Sequence, residues 1–385
     1  MVKTSKKKAR RGRRLLRGAV SVAFLLAVLT LMVMFLLFRD RINPDTVRGI
    51  MRLITFSREE SPVSDEVKFD PEQKNLYGFY DGRLAIITKE RLVLYNSSGI
   101  ETFSRVLFWE NPALITSGGR VAAYERGGGL LISDGKDILF ELEGNVLGAK
   151  FNSRQWIAVI TRDSGYRGIV TAYDNKYKPR YAWNSASRYI LDAALSPSGK
   201  NLAIAAASQD GESLVSYITL HDISKEDPEH EIAIRDRLVL SVIYPDNNHV
   251  CAILEDGVEF YGSDGEKLSS YSAGEGIFLE FAHSFDFLLV HIKRSESALI
   301  SELIALDYEG NRISGLPVSG EIRAISAQGE FFSVLSGSVL EIYNSMCEKI
   351  DSYGECAAVQ TIAQQSNGSV FLLDKNSARL YSPGK

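Results

Sequence analysis

The chain has 385 residues, of which 45% are hydrophobic, and its 44 Lys and Arg against 48 Asp and Glu give a formal net charge of −4. Nine of the basic residues lie in the first 18 positions, which hold no acid, so residues 19–385 carry about −13. An acidic body lacks the cationic face that phosphate backbones require, which excludes nucleic acid as an expected partner. Three cysteines do not make a disulfide framework.

The N-terminal segment has the layout of a signal anchor. Basic residues 1–18 precede Ala19 to Phe38, which are twenty residues without a charge, Gly or Pro. Twenty helical residues span about 30 Å, the thickness of the hydrocarbon core of a bilayer. A cleaved signal peptide would have a shorter apolar run that ends in small residues, whereas this run ends in Phe38 followed by Arg39. The sequence therefore predicts one uncleaved transmembrane helix over 19–38, in contact with lipid.

Charge on the two sides of this helix predicts its orientation. The nine cations of residues 1–18 precede it, whereas Arg39, Asp40 and Arg41 nearly cancel after it. By the positive-inside rule, residues 1–18 form a basic cytoplasmic tail in the plasma membrane, and the rest of the chain is extracytoplasmic.

Residues 39–66 are predicted to be a juxtamembrane linker. Val47, Ile50, Met51 and Ile54 have the spacing of one helical face. Two interpretations stay open: a short helix on the outer membrane surface, or a stalk helix that packs on the domain.

From residue 67 onward, short apolar stretches alternate with turn signals. Asp-Gly pairs, which favour tight hairpin turns, recur five times, at 81–82, 134–135, 210–211, 256–257 and 264–265. A strand that ends in an apolar-x-Tyr-like anchor recurs eight times, and the seven intervals from Tyr95 to Tyr381 average about 41 residues. That period is the blade spacing of β-propellers. We predict an all-β fold in which residues 67–385 form an extracytoplasmic β-propeller, with eight blades favoured and seven as the alternative.

One repeat can be assigned strand by strand. Its predicted strands are Ile190 to Leu195, Asn201 to Ala206, Val215 to Leu220 and Glu231 to Ile234. The last repeat, which ends near Tyr381, stops after three strands. We predict that Val67-Lys68-Phe69 supplies the missing outer strand and thereby removes an exposed sheet edge.

A family resemblance rests on two stretches and on the layout of the chain. The stretches are Phe79 to Thr88, with the sequence FYDGRLAIIT, and Leu92 to Tyr95, with the sequence LVLY. With the basic tail and single anchor, the chain resembles a domain-of-unknown-function family of Gram-positive, mainly clostridial, bacteria, whose members look like membrane-anchored WD40-like or quinoprotein-like propellers. The resemblance implies a location at the outer face of the plasma membrane and no activity, so no functional residues carry over.

Motifs for chemistry are weak throughout the sequence. His249 and Cys251 lie at i and i+2 of one predicted strand, but two ligands do not make a zinc site. Cys347 and Cys356 could bridge one hairpin, although two unpaired cysteines are favoured. We assign no catalytic, metal or cofactor-binding residue and no cofactor. The alternative hypothesis is an extracytoplasmic propeller enzyme, a quinoprotein-like oxidoreductase, lyase or hydrolase, that gathers residues from several blades.

The favoured hypothesis is a non-enzymatic binding or scaffolding module of the cell envelope, with a protein, peptide or glycan as partner. In a propeller, the loops between second and third strands share one face with the blade-to-blade connections. Long loops are predicted there over 162–167, 208–213 and 293–298, the first of which contains Tyr166. Trp183 and Tyr189 lie near this first loop, and aromatic side chains are good contact anchors. These three aromatics are the predicted partner-binding residues, against the alternative that Trp183 and Tyr189 pack between blades.

Overall fold

The computed structural model describes residues 66–69, 75–97, 99–274, 276–293, 295 and 300–384. The predicted tail, the predicted transmembrane helix at 19–38 and the linker up to residue 65 lie outside the described residues. Within the ranges above, no helix has both the length and the apolar character needed to cross a membrane. The described residues belong to one compact unit, Asn43–Lys385.

Strands account for nearly all of the regular structure, as the alternating apolar stretches predict. The first twelve are β1 (Val67–Lys68), β2 (Leu76–Tyr80), β3 (Arg83–Ile87), β4 (Arg91–Tyr95), β5 (Glu101–Val106), β6 (Pro112–Ser117), β7 (Arg120–Glu125), β8 (Gly128–Ser133), β9 (Ile138–Phe151), β10 (Ile157–Thr161), β11 (Gly168–Tyr173) and β12 (Pro179–Ser185).

The next twelve strands are β13 (Tyr189–Leu195), β14 (Asn201–Asp210), β15 (Ser213–Asp222), β16 (His230–Arg235), β17 (Val239–Ile243), β18 (His249–Leu254), β19 (Gly257–Gly262), β20 (Lys267–Ser272), β21 (Ile277–His283), β22 (Leu288–Lys293), β23 (Ile300–Leu306) and β24 (Arg312–Ser319). The last seven are β25 (Ile322–Gln328), β26 (Phe331–Ser336), β27 (Val339–Asn344), β28 (Lys349–Tyr353), β29 (Thr361–Gln364), β30 (Val370–Leu373) and β31 (Ser377–Tyr381).

Consecutive strands pair antiparallel into four-stranded sheets. Five sheets follow chain order: β2–β5, β13–β16, β17–β20, β21–β24 and β25–β28. A seven-stranded sheet runs from β6 to β12, because the long strand β9 pairs through Ile138 to Leu142 with β8 and through Val146 to Phe151 with β10. Strand β9 therefore ends one four-stranded group and begins the next. The repeat read from Ile190 to Ile234 is confirmed as β13–β16, with longer strands.

The last sheet is completed by the start of the domain. Its order is β1-β31-β30-β29, with Val67 opposite Ala378 and Lys68 opposite Ser377. The Phe69 amide also donates to the Asn376 carbonyl at 2.9 Å. The prediction that Val67-Lys68-Phe69 supplies this outer strand is confirmed, and it holds the two ends of the domain together.

Turn chemistry explains why the hairpins form where they do. Asp81 and Gly82 both have positive φ, 51° and 69°, as a two-residue hairpin turn of the Asp-Gly type requires. Gly199 closes the turn from β13 to β14 at φ 74°, and a Cβ there would meet the Trp156 ring at 2.7 Å. Only glycine therefore fits the Gly199 position without displacing the neighbouring sheet.

The core lies between sheets. Hydrophobic clusters join each four-stranded group to the next, for example β17–β20 to β21–β24 through Phe260 and Val290. One cluster joins the last sheet to the first, through Phe371 and Leu373 against Leu84 and Ile86. Because each group buries one face on each neighbour, no single sheet has a core of its own.

Candidate functional site

The inner strands enclose a cavity of about 600 Å³. It is lined by the C-terminal ends of eight strands, namely β2, β6, β9, β13, β17, β21, β25 and β29. Those ends meet at one cavity, so the eight strands run in the same direction around it.

Most of the cavity wall consists of small, apolar or amide side chains. Among the described residues that line it, Asp81 and Lys150 carry side chains that are charged near neutral pH, whereas desolvation and the nearby Lys150 lower the pKa of His283 to about 4 and leave its imidazole neutral. Tyr244 also lines the cavity, and burial raises the pKa of its phenol well above the usual range. In the described ranges, no three His, Cys, Asp or Glu residues are grouped so that they could hold a metal ion.

A charged network ties three of the inner strands together. Asp192 Oδ2 on β13 accepts hydrogen bonds from Lys150 Nζ on β9 at 2.5 Å and from Ser241 Oγ on β17 at 2.6 Å. It also accepts one from the Val242 amide at 3.0 Å, while Lys150 Nζ donates to the Val242 carbonyl at 2.9 Å. The Lys150 ammonium group has three acceptors in this network, namely Asp192, Ser241 and the Val242 carbonyl. We therefore assign the network a structural role.

At the opposite end of the inner strands, four sheets in a row share one irregularity. The pairing of each inner strand skips one residue near its N-terminal end, which is a β-bulge. The skipped residues are Leu147, Leu191, Leu240 and Leu279, and their side chains are 38–49% exposed. We call these four residues the leucine arc. The next inner strand, β25, has the same bulge with Arg323 in the skipped position.

The leucine arc is unusual because a bulge exposes a residue that alternation would bury. Apolar residues that recur on one side of a soluble domain commonly mark an interaction site. Sequence reasoning missed these residues, although a signal was present. In each of the four repeats the leucine follows an apolar residue and precedes Gly148, Asp192, Ser241 or Glu280.

Two of the three predicted contact aromatics lie beside this arc. Tyr166, in the loop from β10 to β11, is 41% exposed, and Tyr189, two residues before Leu191, is 47% exposed. Arg167 Nη1 donates to the Tyr189 hydroxyl at 2.5 Å, and its guanidinium lies 4.9 Å from the centre of that ring. The structure brings Arg167 and Tyr189 together on the surface, Tyr166 precedes Arg167 in the chain, and the contact role of the two tyrosines stays a prediction.

Trp183 is placed differently. It lies half-buried on the outer strand β12, with its ring edge-to-face against His221 of the next sheet at 5.4 Å. That position matches the alternative in which the side chain packs between blades.

The long loop predicted over 208–213 was wrong, because β14 and β15 extend to leave only Gly211 and Glu212 between them.

His221 gives this interface a pH dependence. Its Nδ1 lies 2.8 Å from the Tyr181 hydroxyl and its Nε2 2.8 Å from Thr219 Oγ1, and burial lowers the pKa of the imidazole to about 4. Between about pH 6.5 and pH 4, His221 is therefore protonated in the unfolded chain, where its pKa is near 6.5, but neutral in the folded chain. Stability is therefore complete above about pH 6.5 and falls as the pH is lowered towards 4.

We expect the free energy of unfolding to fall by about 2 kcal/mol between pH 7 and pH 5 through His221 alone. Denaturant titrations at the two pH values measure this change, and His221→Gln should reduce the pH-dependent loss by about that amount. An equal loss in wild type and variant would show that other groups cause it.

Comparisons with known proteins agree with this architecture. The model of a family of unknown function, DUF5711, matches residues 56–379. The chain belongs to the DUF5711 family. No curated protein matches it. The resemblance inferred from the sequence is thereby confirmed at the level of a family without assigned function.

Solved structures show the fold of this DUF5711 protein. The C-terminal WD40 domain of Sif2 is similar at a TM-score of 0.56 and 12% identity, over 83% of this chain and 98% of that one. Raptor from Chaetomium thermophilum (TM-score 0.47, 13% identity, 69% of this chain and 27% of that one) and the Pan2 WD40 domain from Neurospora crassa (0.46, 10%, 71% and 89%) are more distant. The DUF5711 protein has a WD40-like β-propeller fold.

Proposed function

We propose that this DUF5711 protein is a membrane-anchored binding or scaffolding module, with an eight-bladed propeller held outside the plasma membrane. The blade count is supported by the strands: if β9 is divided between its two partners, the 31 described strands give eight groups of four. The location is supported by the basic residues 1–18 and the apolar residues 19–38.

The leucine arc is the observation that carries the binding function. Its partner is a polypeptide segment with apolar side chains, because four leucines offer no hydrogen bonds with which to recognise a glycan. Burying the exposed part of each leucine contributes about 1 kcal/mol, which for four leucines is enough to matter for a specific complex.

Neighbouring cations indicate acidic side chains in the same segment. Arg167 donates to the Tyr189 hydroxyl, and Arg323 donates to the carbonyls of Gly337 and Val359. Within the described part of the chain, neither guanidinium forms an ion pair with a carboxylate. Both charges are therefore available for complementarity with an acidic partner at the rim of the site.

Site-specific photo-crosslinking in intact cells tests the proposal. A benzophenone amino acid at Leu240 should capture one envelope protein, through a segment that combines apolar and acidic residues. The matched control carries the same group at Leu268, a leucine of similar exposure (47%) on the outer strand β20, and should not capture that protein.

Three results would contradict this function. Equal capture at Leu240 and Leu268 would mean that the arc is ordinary surface. Capture of a cytoplasmic protein at Leu240 would contradict the location, and crosslinks to lipid or to a second copy alone would contradict the class of partner.

A further inference from the structure

A second cavity, of about 480 Å³, lies between two neighbouring sheets. On one side it is lined by residues of β21, β22 and β23, and on the other by Gly320 to Ile322 at the start of β25. We call it the inter-sheet cleft. Its volume falls within the range of small-molecule sites.

Two buried polar atoms in the cleft have no hydrogen-bond partner among the residues that the structure describes. They are Nε2 of His291 and Oγ of Ser301, in side chains that are only 4% and 7% exposed. Leaving such a group unsatisfied costs about 1–3 kcal/mol. Both residues line the cleft.

The strand register explains why these two groups are neighbours. His291 on β22 lies opposite Leu303 on β23, and Ser301 lies opposite Lys293. His291 and Ser301 are therefore diagonal neighbours on one face of the sheet. This face packs towards β25 and β26, and it leaves the cleft open beside Ser301.

Glu280 decides which hydrogen bond the histidine can make. Its Oε1 lies 3.2 Å from His291 Nδ1. In the neutral imidazole, a carboxylate at this distance favours the tautomer with the proton on Nδ1, in which Nε2 presents a lone pair. The Ser301 hydroxyl can donate and accept. An alcohol group has the donor and the acceptor that these two atoms need, because it can donate to Nε2 and accept from the Ser301 hydroxyl.

The remaining walls define the rest of the ligand. Leu279 and Ile322 are apolar and suit a carbon skeleton better than water alone. The charged residues among the described lining are Lys293 and Glu321, which are opposite in sign and favour a neutral ligand. We propose that the inter-sheet cleft binds a small neutral polyol of the monosaccharide class, through one hydroxyl held between His291 Nε2 and Ser301 Oγ.

Saturation-transfer NMR on the full-length protein, in a detergent without a sugar headgroup, tests this site. Glucose and N-acetylglucosamine are the neutral probes, and inorganic phosphate is the charged probe. At least one sugar should receive saturation, and Ser301→Ala should weaken its binding about tenfold, the effect of losing roughly 1.4 kcal/mol. His291→Phe should have the same effect on binding.

The melting temperatures of the variants show whether Ser301 serves ligand binding or only the stability of the fold. Because the Ser301 hydroxyl has no hydrogen-bond partner among the described residues, Ser301→Ala removes the cost of burying it, and the melting temperature of the sugar-free protein should equal or exceed that of wild type. The control is Ser333→Ala: Ser333 is fully buried and donates to Gln364, so this variant should melt lower and bind sugar as well as wild type.

Three outcomes would overturn the proposal. They are the absence of saturation for both sugars, a signal from phosphate alone, and sugar binding that Ser301→Ala does not weaken. Leu279 belongs to both the cleft and the leucine arc, and for that reason the test changes Ser301 and His291 instead. The result is thus independent of partner binding at the arc.

Discussion

Replacing Asp192 with alanine should lower the free energy of unfolding by about 3 kcal/mol, because it leaves Lys150 beside the cavity without its counter-charge. The two side chains are only 33% and 17% exposed, so water compensates little of this loss. The substitution also removes the acceptor of the Ser241 hydroxyl and of the Val242 amide, which both donate to Asp192. Denaturant unfolding of the full-length protein measures the effect.

Asp210→Ala is the matched control. Asp210 pairs with Arg235, but both side chains are about 60% exposed, and surface pairs of this kind contribute little. We expect a change of less than about 0.5 kcal/mol. Equal effects of the two substitutions would mean that the network around Asp192 does not hold β9, β13 and β17 together.

The double substitution Val67→Asp and Phe69→Ser should destabilise the domain by about 3 kcal/mol, since it removes two partly buried apolar side chains from the strand that completes the last sheet. Val67 and Phe69 pack on the cluster that joins the last sheet to the first, and the Phe69 ring lies 5.3 Å from that of Tyr77. Thermal unfolding followed by circular dichroism measures the change.

Lys68→Ser is the control, because Lys68 lies between Val67 and Phe69 in the sequence but its side chain is 79% exposed. It should change stability by less than about 0.5 kcal/mol. If the double variant unfolds like wild type, pairing of β1 with β31 does not contribute to the stability of the domain.

Much of the fold could be predicted because a propeller repeats its signals. The anchors from Tyr95 to Tyr381 recur with one average period, so errors in a single strand average out, and turns such as Asp81-Gly82 mark the hairpins between strands. Closure by Val67 was predictable because the last repeat lacked a strand. The continuous strand β9 was not predicted, because Gly144 and Asn145 are residues that favour a turn; β9 continues through them, although neither has a partner in the two ladders that β9 forms.

The candidate sites were harder to predict, for a physical reason. A β-bulge depends on how one strand pairs with its neighbour, and the single-strand pattern around Leu191 or Leu240 reads as ordinary core. His291 and Ser301 lie ten residues apart in the sequence, and whether they are neighbours depends on the register between β22 and β23. By contrast, the exposure of Tyr166 and Tyr189 could be predicted, because the position of an aromatic residue next to a loop does not depend on strand register.

The affinity of the captured segment for purified protein is the most direct test of binding at the leucine arc. Calorimetry should show that Leu191→Asp combined with Leu240→Asp weakens the complex more than tenfold, because two apolar contacts are lost and two carboxylates face an acidic segment. Leu268→Asp should change the affinity less than twofold. If all three proteins bind the segment equally, the leucine arc is not the binding site and the proposed function fails.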